Sequence, residues 1–181
     1  IASGYSTRYD IGCFGGRHFT YVAAFGAFSW LSYTTDQNMK NVLGHTAYIL
    51  DAIKDLYKIK PLHMKVTADG VTHEDDYIFG AICNTTSVAG TITLPAAMVD
   101  TADGVFEVLL VKMPKTMLEL DMIIRGLLSQ DYSCPNIDLF QAKELDIENP
   151  PELEWSLDGE ASGVMDKAHV SVIPRFLNLR G

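Results

Sequence analysis

Apolar positions along this chain recur in two rhythms. Between Asp36 and Tyr57, residues Met39, Leu43, Ala47, Leu50, Ile53 and Tyr57 fall three or four apart, the spacing of one helical face. Asp36 suits an N-cap and Pro61 lies beyond the end. A second helix is predicted after Thr116-Met117-Leu118-Glu119, which reads as a capping box, with Met117, Leu120, Ile124 and Leu127 as its stripe. Elsewhere the rhythm is two. Leu62, Met64 and Val66 alternate with His63, Lys65 and Thr67, a half-buried strand. Asp69-Gly70 is a hairpin signal, and Tyr77 to Thr85 reads as the buried return strand.

The remaining elements are strands punctuated by glycine. Tyr9–Gly12 and Phe19–Ala23 flank Gly15-Gly16 as a hairpin. Phe25 to Thr35 predicts a buried loop or irregular strand. Val105–Lys112 follows Asp103-Gly104, and further strands are expected near Leu139–Glu148, Glu154–Leu157, Ala168–Val172 and Arg175–Leu179. Many short strands with two helices predict a mainly β fold, a β-sandwich with inserted helices, as one domain over residues 1–181.

Composition narrows the partners. Lys+Arg 14 against Asp+Glu 23 gives a net charge of −9, which argues against nucleic acid and against constitutive docking on anionic lipid. Cys13, Cys83 and Cys134 are far apart with no CxxC, so neither a disulfide framework nor a zinc site is expected, and a cytoplasmic setting follows. The five histidines lack metal-ligand spacing. No run reaches the ~20 apolar residues of a membrane span.

Two acidic loops carry the candidate chemistry. In Asp158-Gly159-Glu160, glycine permits a sharp turn that can project both carboxylates into one cleft, where one could accept a substrate hydroxyl's proton during phosphoryl transfer. The same tripeptide also suits a plain hairpin turn with two solvated acids. In Asp100-Thr101-Ala102-Asp103-Gly104-Val105, two carboxylates and the Val105 carbonyl are oxygen ligands suited to a hard cation, or simply a turn before a strand. Lys40 opens the long helix and could reach a phosphate, and Asn84-Thr85-Thr86-Ser87 could line a cleft. Walker A, GxGxxG and GxSxG motifs are absent.

Taken in order, Tyr9-Asp10-Ile11-Gly12, Phe19 to Gly26, Leu43-Gly44-His45-Thr46-Ala47-Tyr48, Asn84 to Gly90, Asp103-Gly104 and Leu157-Asp158-Gly159-Glu160 resemble the bacterial diacylglycerol kinase-like family, relatives of sphingosine kinase. The resemblance implies the C-terminal β-rich domain of a two-domain, ATP-dependent lipid kinase, excised from an N-terminal nucleotide-binding domain and inactive alone. It matches Glu160 to the family's proton acceptor with Asp158 beside it, and Asp100, Asp103 and Val105 to a structural Mg²⁺ site. Lys40 matches a functional lysine of the long helix. The family often has a smaller hydroxyl or amide residue at the position of Asp100; the added carboxylate would raise cation affinity or admit Ca²⁺. Implied partners are ATP, a lipid alcohol such as diacylglycerol and a transient, peripheral membrane contact, with a homodimer left open. A sphingoid base, another lipid alcohol or NAD as acceptor, and a non-catalytic metal-binding module, are the alternatives.

Overall fold

A computed structural model describes residues 6–26, 60–88 and 92–180. The expected helix over 36–57, with Lys40, and all of the 25–35 segment beyond Gly26 lie outside the described residues. Strands dominate the rest. They are β1 (Ser6–Phe14), β2 (Arg17–Phe19), β3 (Val22–Gly26), β4 (Leu62–Ala68) and β5 (Val71–Cys83), then the short pair β6 (Ser87–Val88) and β7 (Ile92–Thr93). After β8 (Phe106–Lys112) comes helix α1 (Met117–Ser129), followed by β9 (Ile137–Ala142), β10 (Glu144–Glu148), β11 (Glu154–Leu157), β12 (Glu160–Val164) and β13 (Lys167–Arg180).

Eleven strands form one sheet, in the order β12-β11-β3-β5-β4-β10-β13-β1-β2, with β8 and β9 branching from β5. The branch arises because β5 is long. Its first half, Val71 to Tyr77, pairs with β4, and beyond Tyr77 that edge passes to β3 while β8 takes the other edge. The sheet curls until its ends approach. Phe14 of β1 and Phe25 of β3 each lie 4.8 Å, centroid to centroid, from Trp155 of β11, although β1 and β11 stand near opposite ends of the strand order. These tilted and edge-on aromatic pairs sit at separations where ring quadrupoles attract. Together with Phe19, Met64, Tyr77 and Phe106 they fill the interior.

A second core lies on the outer face. On β8, Val108 and Leu110 point into the curled sheet while Leu109 and Val111 point at α1. A strand buried on both sides reads as a continuous apolar run, as Val108 to Val111 does. The helix supplies Leu120, Ile123, Ile124 and Leu127. Ile123 joins the expected stripe, whereas Met117, in the first turn, stays exposed. The capping box forms. Thr116 Oγ1 accepts from the Glu119 amide at 3.2 Å, and Glu119 reaches one residue past the cap to the Lys115 amide at 2.6 Å.

Two expected strands are each split, for the same reason. Phe19–Ala23 breaks at Thr20–Tyr21 into β2 and β3, and Leu139–Glu148 breaks at Lys143 into β9 and β10. At both breaks an aspartate from a distant Asp-Gly turn takes the amides that a ladder would use. Asp69 accepts from the Lys143 and Glu144 amides at 3.0–3.2 Å. Conversely, the two strands expected over 168–179 form the single strand β13, which bulges against β1 between its pairings at Ile173 and Leu177.

Candidate active site

The Asp158-Gly159 dipeptide closes the β11–β12 hairpin with φ of 51° and 91°, the double left-handed conformation of a type I′ turn. Glycine meets this requirement without a Cβ clash, and aspartate tolerates it. The Asp158 carboxylate turns away from the hairpin and accepts from the Thr20, Tyr21 and Val22 amides at 2.7–2.8 Å and from the Thr20 hydroxyl at 2.9 Å. Burial alone would push its pKa up; the three amides and the hydroxyl outweigh burial and hold it below the ordinary aspartate value. With its oxygens so occupied, Asp158 is an anchor for the turn and is not poised to accept a proton.

Glu160 differs. It opens β12 opposite Leu157, is exposed, and has no hydrogen-bond or ion-pair partner among the described residues. The backbone beneath it is pinned on both sides. Asp158 is tied to the β2–β3 break, and the Ala161 carbonyl accepts from the Arg17 guanidinium at 2.8 Å. Asp69-Gly70 is an internal comparison. It has the same turn, with φ of 46° and 85°, and the same use of the carboxylate, but the residue after its glycine is Val71. The turn is therefore an architectural device used twice, and a free carboxylate follows only one of the two.

The second acidic loop meets the first through a chain of hydrogen bonds. The Tyr21 amide donates to Asp158, and the Tyr21 carbonyl accepts from the Asn84 amide at 3.0 Å. Asn84 Nδ2 donates to the Asp10 carbonyl at 2.8 Å. Asp10 is fully buried at the β1 bulge. Its carboxylate accepts from the Gly104 amide at 2.7 Å and from the Arg175 amide, and its own amide donates to the Thr101 carbonyl at 2.8 Å. One buried carboxylate thus holds both the Thr101–Gly104 loop and the β13 bulge, where Arg175 takes φ of 53°.

Within the loop, Asp100 Oδ1 accepts from the Ala102 amide at 3.0 Å and Asp103 Oδ1 from the Val105 amide at 3.1 Å. Each carboxylate keeps its other oxygen outside these turns. Beside them on β8, Glu107 is fully buried. Its Oε1 is held at 3.1 Å by Gln141 Nε2, which also donates to the Met98 carbonyl, and its Oε2 has no hydrogen-bond partner. Burial pushes the Glu107 pKa up to about 7; the Gln141 bond opposes this, while the charges of Asp103 and Asp100 add to it. A buried, half-satisfied carboxylate near two others calls for positive charge or a proton, so the donor set fits a hard cation. The described residues contain no group of three His, Cys, Asp or Glu side chains preformed around one point. A cation here would complete its shell with carbonyl oxygens and water, as Mg²⁺ commonly does.

A relay of hydrogen bonds through Tyr21, Asn84 and Asp10 thus links the Asp158 turn, which Glu160 follows, to the loop that carries Asp100, Asp103 and Val105. The structure adds Asp10, Arg17 and Glu107, to which the sequence reading gave no role. Glu107 left a signal, as an acid within an apolar strand run, and Asp10 a weaker one, between Tyr9 and Ile11. Arg17 left none.

Residues 26–181 match the family described as the YegS C-terminal NAD kinase beta sandwich-like domain. A diacylglycerol kinase of Staphylococcus aureus (strain bovine RF122 / ET3-1) is 29% identical over 184 residues, spanning 99% of this chain and 54% of that protein. The diacylglycerol kinase of strain Newman matches to the same extent. The crystal structure of a diacylglycerol kinase from Bacillus anthracis strain Sterne superposes with a TM-score of 0.63 at 19% identity, covering 96% of this chain and 53% of that one, a likeness of fold. The chain spans about half the length of the relatives it matches.

Proposed function

We propose, from the premise that this chain belongs to the YegS C-terminal NAD kinase beta sandwich-like family, that it is the acceptor-binding half of an ATP-dependent kinase for a lipid hydroxyl such as that of diacylglycerol. The observation that carries the reading is Glu160, an unpartnered, exposed carboxylate on a turn braced at both ends. In the transfer, the acceptor oxygen forms a bond to the γ-phosphorus as the bond from that phosphorus to its bridging oxygen breaks, and ADP leaves. Glu160 takes the acceptor's proton, and Asp158 keeps the Glu160 turn in place. Asp100, Asp103 and the Val105 carbonyl would hold Mg²⁺, which supplies positive charge that orders the loop beside the cleft. Lys40 would contact the nucleotide's phosphates.

Among the described residues, no helix is long and apolar enough to cross a bilayer, so access to the acceptor by transient peripheral contact is part of the proposal.

The test is radiolabelled phosphate transfer by the natural full-length protein with ATP, Mg²⁺ and dispersed diacylglycerol. Label is expected in the lipid phase, and Glu160→Gln is expected to lower kcat by ~10²–10⁴-fold, the usual contribution of a general base. A folded Glu160→Gln protein of undiminished activity would exclude the base role and favour a non-catalytic module. The family's description supports a second reading, in which NAD is the acceptor. Label in NADP with none in lipid would establish it.

A further inference from the structure

The strands β2 and β12 end the sheet order on opposite sides, and no backbone ladder joins them. Side chains cross this seam instead. Arg17 of β2 donates to the Ala161 carbonyl of β12 at 2.8 Å, and Thr20, one residue past β2, donates through its hydroxyl to Asp158 at 2.9 Å. The two bonds fall on either side of Glu160.

We infer that Arg17 is a positioning residue for phosphoryl transfer, acting through Glu160 by latching the seam; the inference rests on Glu160 being the base. β12 has little else to hold it. Of its five residues only Ser162 is buried, it ladders on one side only among the described residues, and Gly163 at φ of 81° adds a second flexible point. Short exposed edges with few buried contacts open locally at low free energy. Asp158 fixes the turn on the N-terminal side of Glu160; on its C-terminal side Ala161 is laddered to Ser156 of β11, and the Arg17 bond is what ties that peptide across the seam to β2. Backbone freedom at Ala161 moves the Glu160 carboxylate directly, because the two residues are adjacent. The chemistry is sensitive to such movement: a displacement of ~1 Å at a reacting group lowers rates by up to ~10²-fold. Global stability is much less sensitive, since the bond is exposed and lies outside both cores.

The experiment compares Arg17→Ala and Arg17→Lys in the full-length protein, alone and with Glu160→Gln. Arg17→Ala is expected to lower kcat by ~10–100-fold with the acceptor and ATP KM values nearly unchanged. Arg17→Lys, which can still donate across the seam, is expected to recover part of that loss. In the Glu160→Gln background, Arg17→Ala should change the residual rate little, because both changes act on the same group. Hydrogen exchange should rise in the 158–164 segment of Arg17→Ala and stay unchanged in β5 and β8. The inference is overturned by an unchanged kcat, by an effect confined to KM, by exchange rising throughout the core, or by a full extra loss on top of Glu160→Gln. If Glu160→Gln is itself fully active, the base reading fails first and this inference falls with it. An inactive Glu160→Gln beside a fully active Arg17→Ala defeats the inference alone.

Discussion

Asp158 and Thr20 are 138 positions apart in the chain and are joined by two hydrogen bonds, from the Thr20 amide at 2.7 Å and from its hydroxyl at 2.9 Å to one carboxylate oxygen. The other oxygen accepts from Tyr21 and Val22. This single contact ends β2, starts β3 and sets the turn from which Glu160 projects.

Replacing that anchor tests its structural weight. Asp158→Asn keeps the shape but substitutes an amide for a charged acceptor facing three N–H donors. Stability is expected to fall by about 1–3 kcal/mol, read from urea unfolding at pH 7. The native carboxyl has a lowered pKa, so its stabilisation is present above the ordinary aspartate value of 3.8 and is lost as pH falls through the lower folded value. The variant should therefore show a shallower loss of stability in acid than the parent. A parallel acid limb would show that the amides do not favour the charged form.

Asp10 makes a complementary prediction at the other loop. Asp10→Ala strands the Gly104 and Arg175 amides, both of which donate to this one buried side chain. The expected loss is about 2–4 kcal/mol, with the 100–104 segment and the β13 bulge gaining hydrogen exchange together. If the loop holds a cation, the stabilisation conferred by added Mg²⁺ in thermal unfolding should shrink in a milder variant, Asp10→Asn. Equal Mg²⁺ responses in parent and variant would separate the loop's anchoring from any cation site.

Glu107 works in the opposite direction to Asp158. Its folded pKa of about 7 exceeds the ordinary glutamate value of 4.5, so the folded protein binds this proton more tightly than the unfolded chain does. Stability from this group is full below pH ~4.5, declines as pH rises to about 7, and is flat beyond. In a chelating buffer, Glu107→Gln should remove that decline and raise stability at pH 8 by on the order of 1–2 kcal/mol. A variant less stable than the parent at pH 8 would show that the charged form has a partner. Added Mg²⁺ should narrow the gap if the cation neutralises this carboxylate.

The hairpin turns at Asp69-Gly70 and Asp158-Gly159, the capping box at Thr116 and the apolar run of β8 were legible in the residues, because each depends on neighbours within a few positions. Left-handed φ at Asp158 and Gly159 follows from the dipeptide itself, as does the period-two alternation that assigns Met64 and Val66 to the core. Glu160 was legible for the same reason, as an acid directly after a turn. The chain's own pattern thus determined the mainly β class, the regions that form most of the strands, the tight turns and the two acidic loops.

Only the folded structure decided what those loops hold. Alternation states which face a residue occupies but not which strand lies beside it, and a carboxylate takes whichever amides the register presents. That is why the splits at Thr20 and Lys143 were invisible: their causes, Asp158 and Asp69, sit on hairpins far along the chain. The bulge that lets Asp10 reach Gly104, and the curl that brings Arg17 to Ala161, likewise arise from strand pairings spanning nearly the whole sequence. Local chemistry set the parts, and long-range register, driven by burial of Trp155 and its aromatic neighbours, set which parts meet.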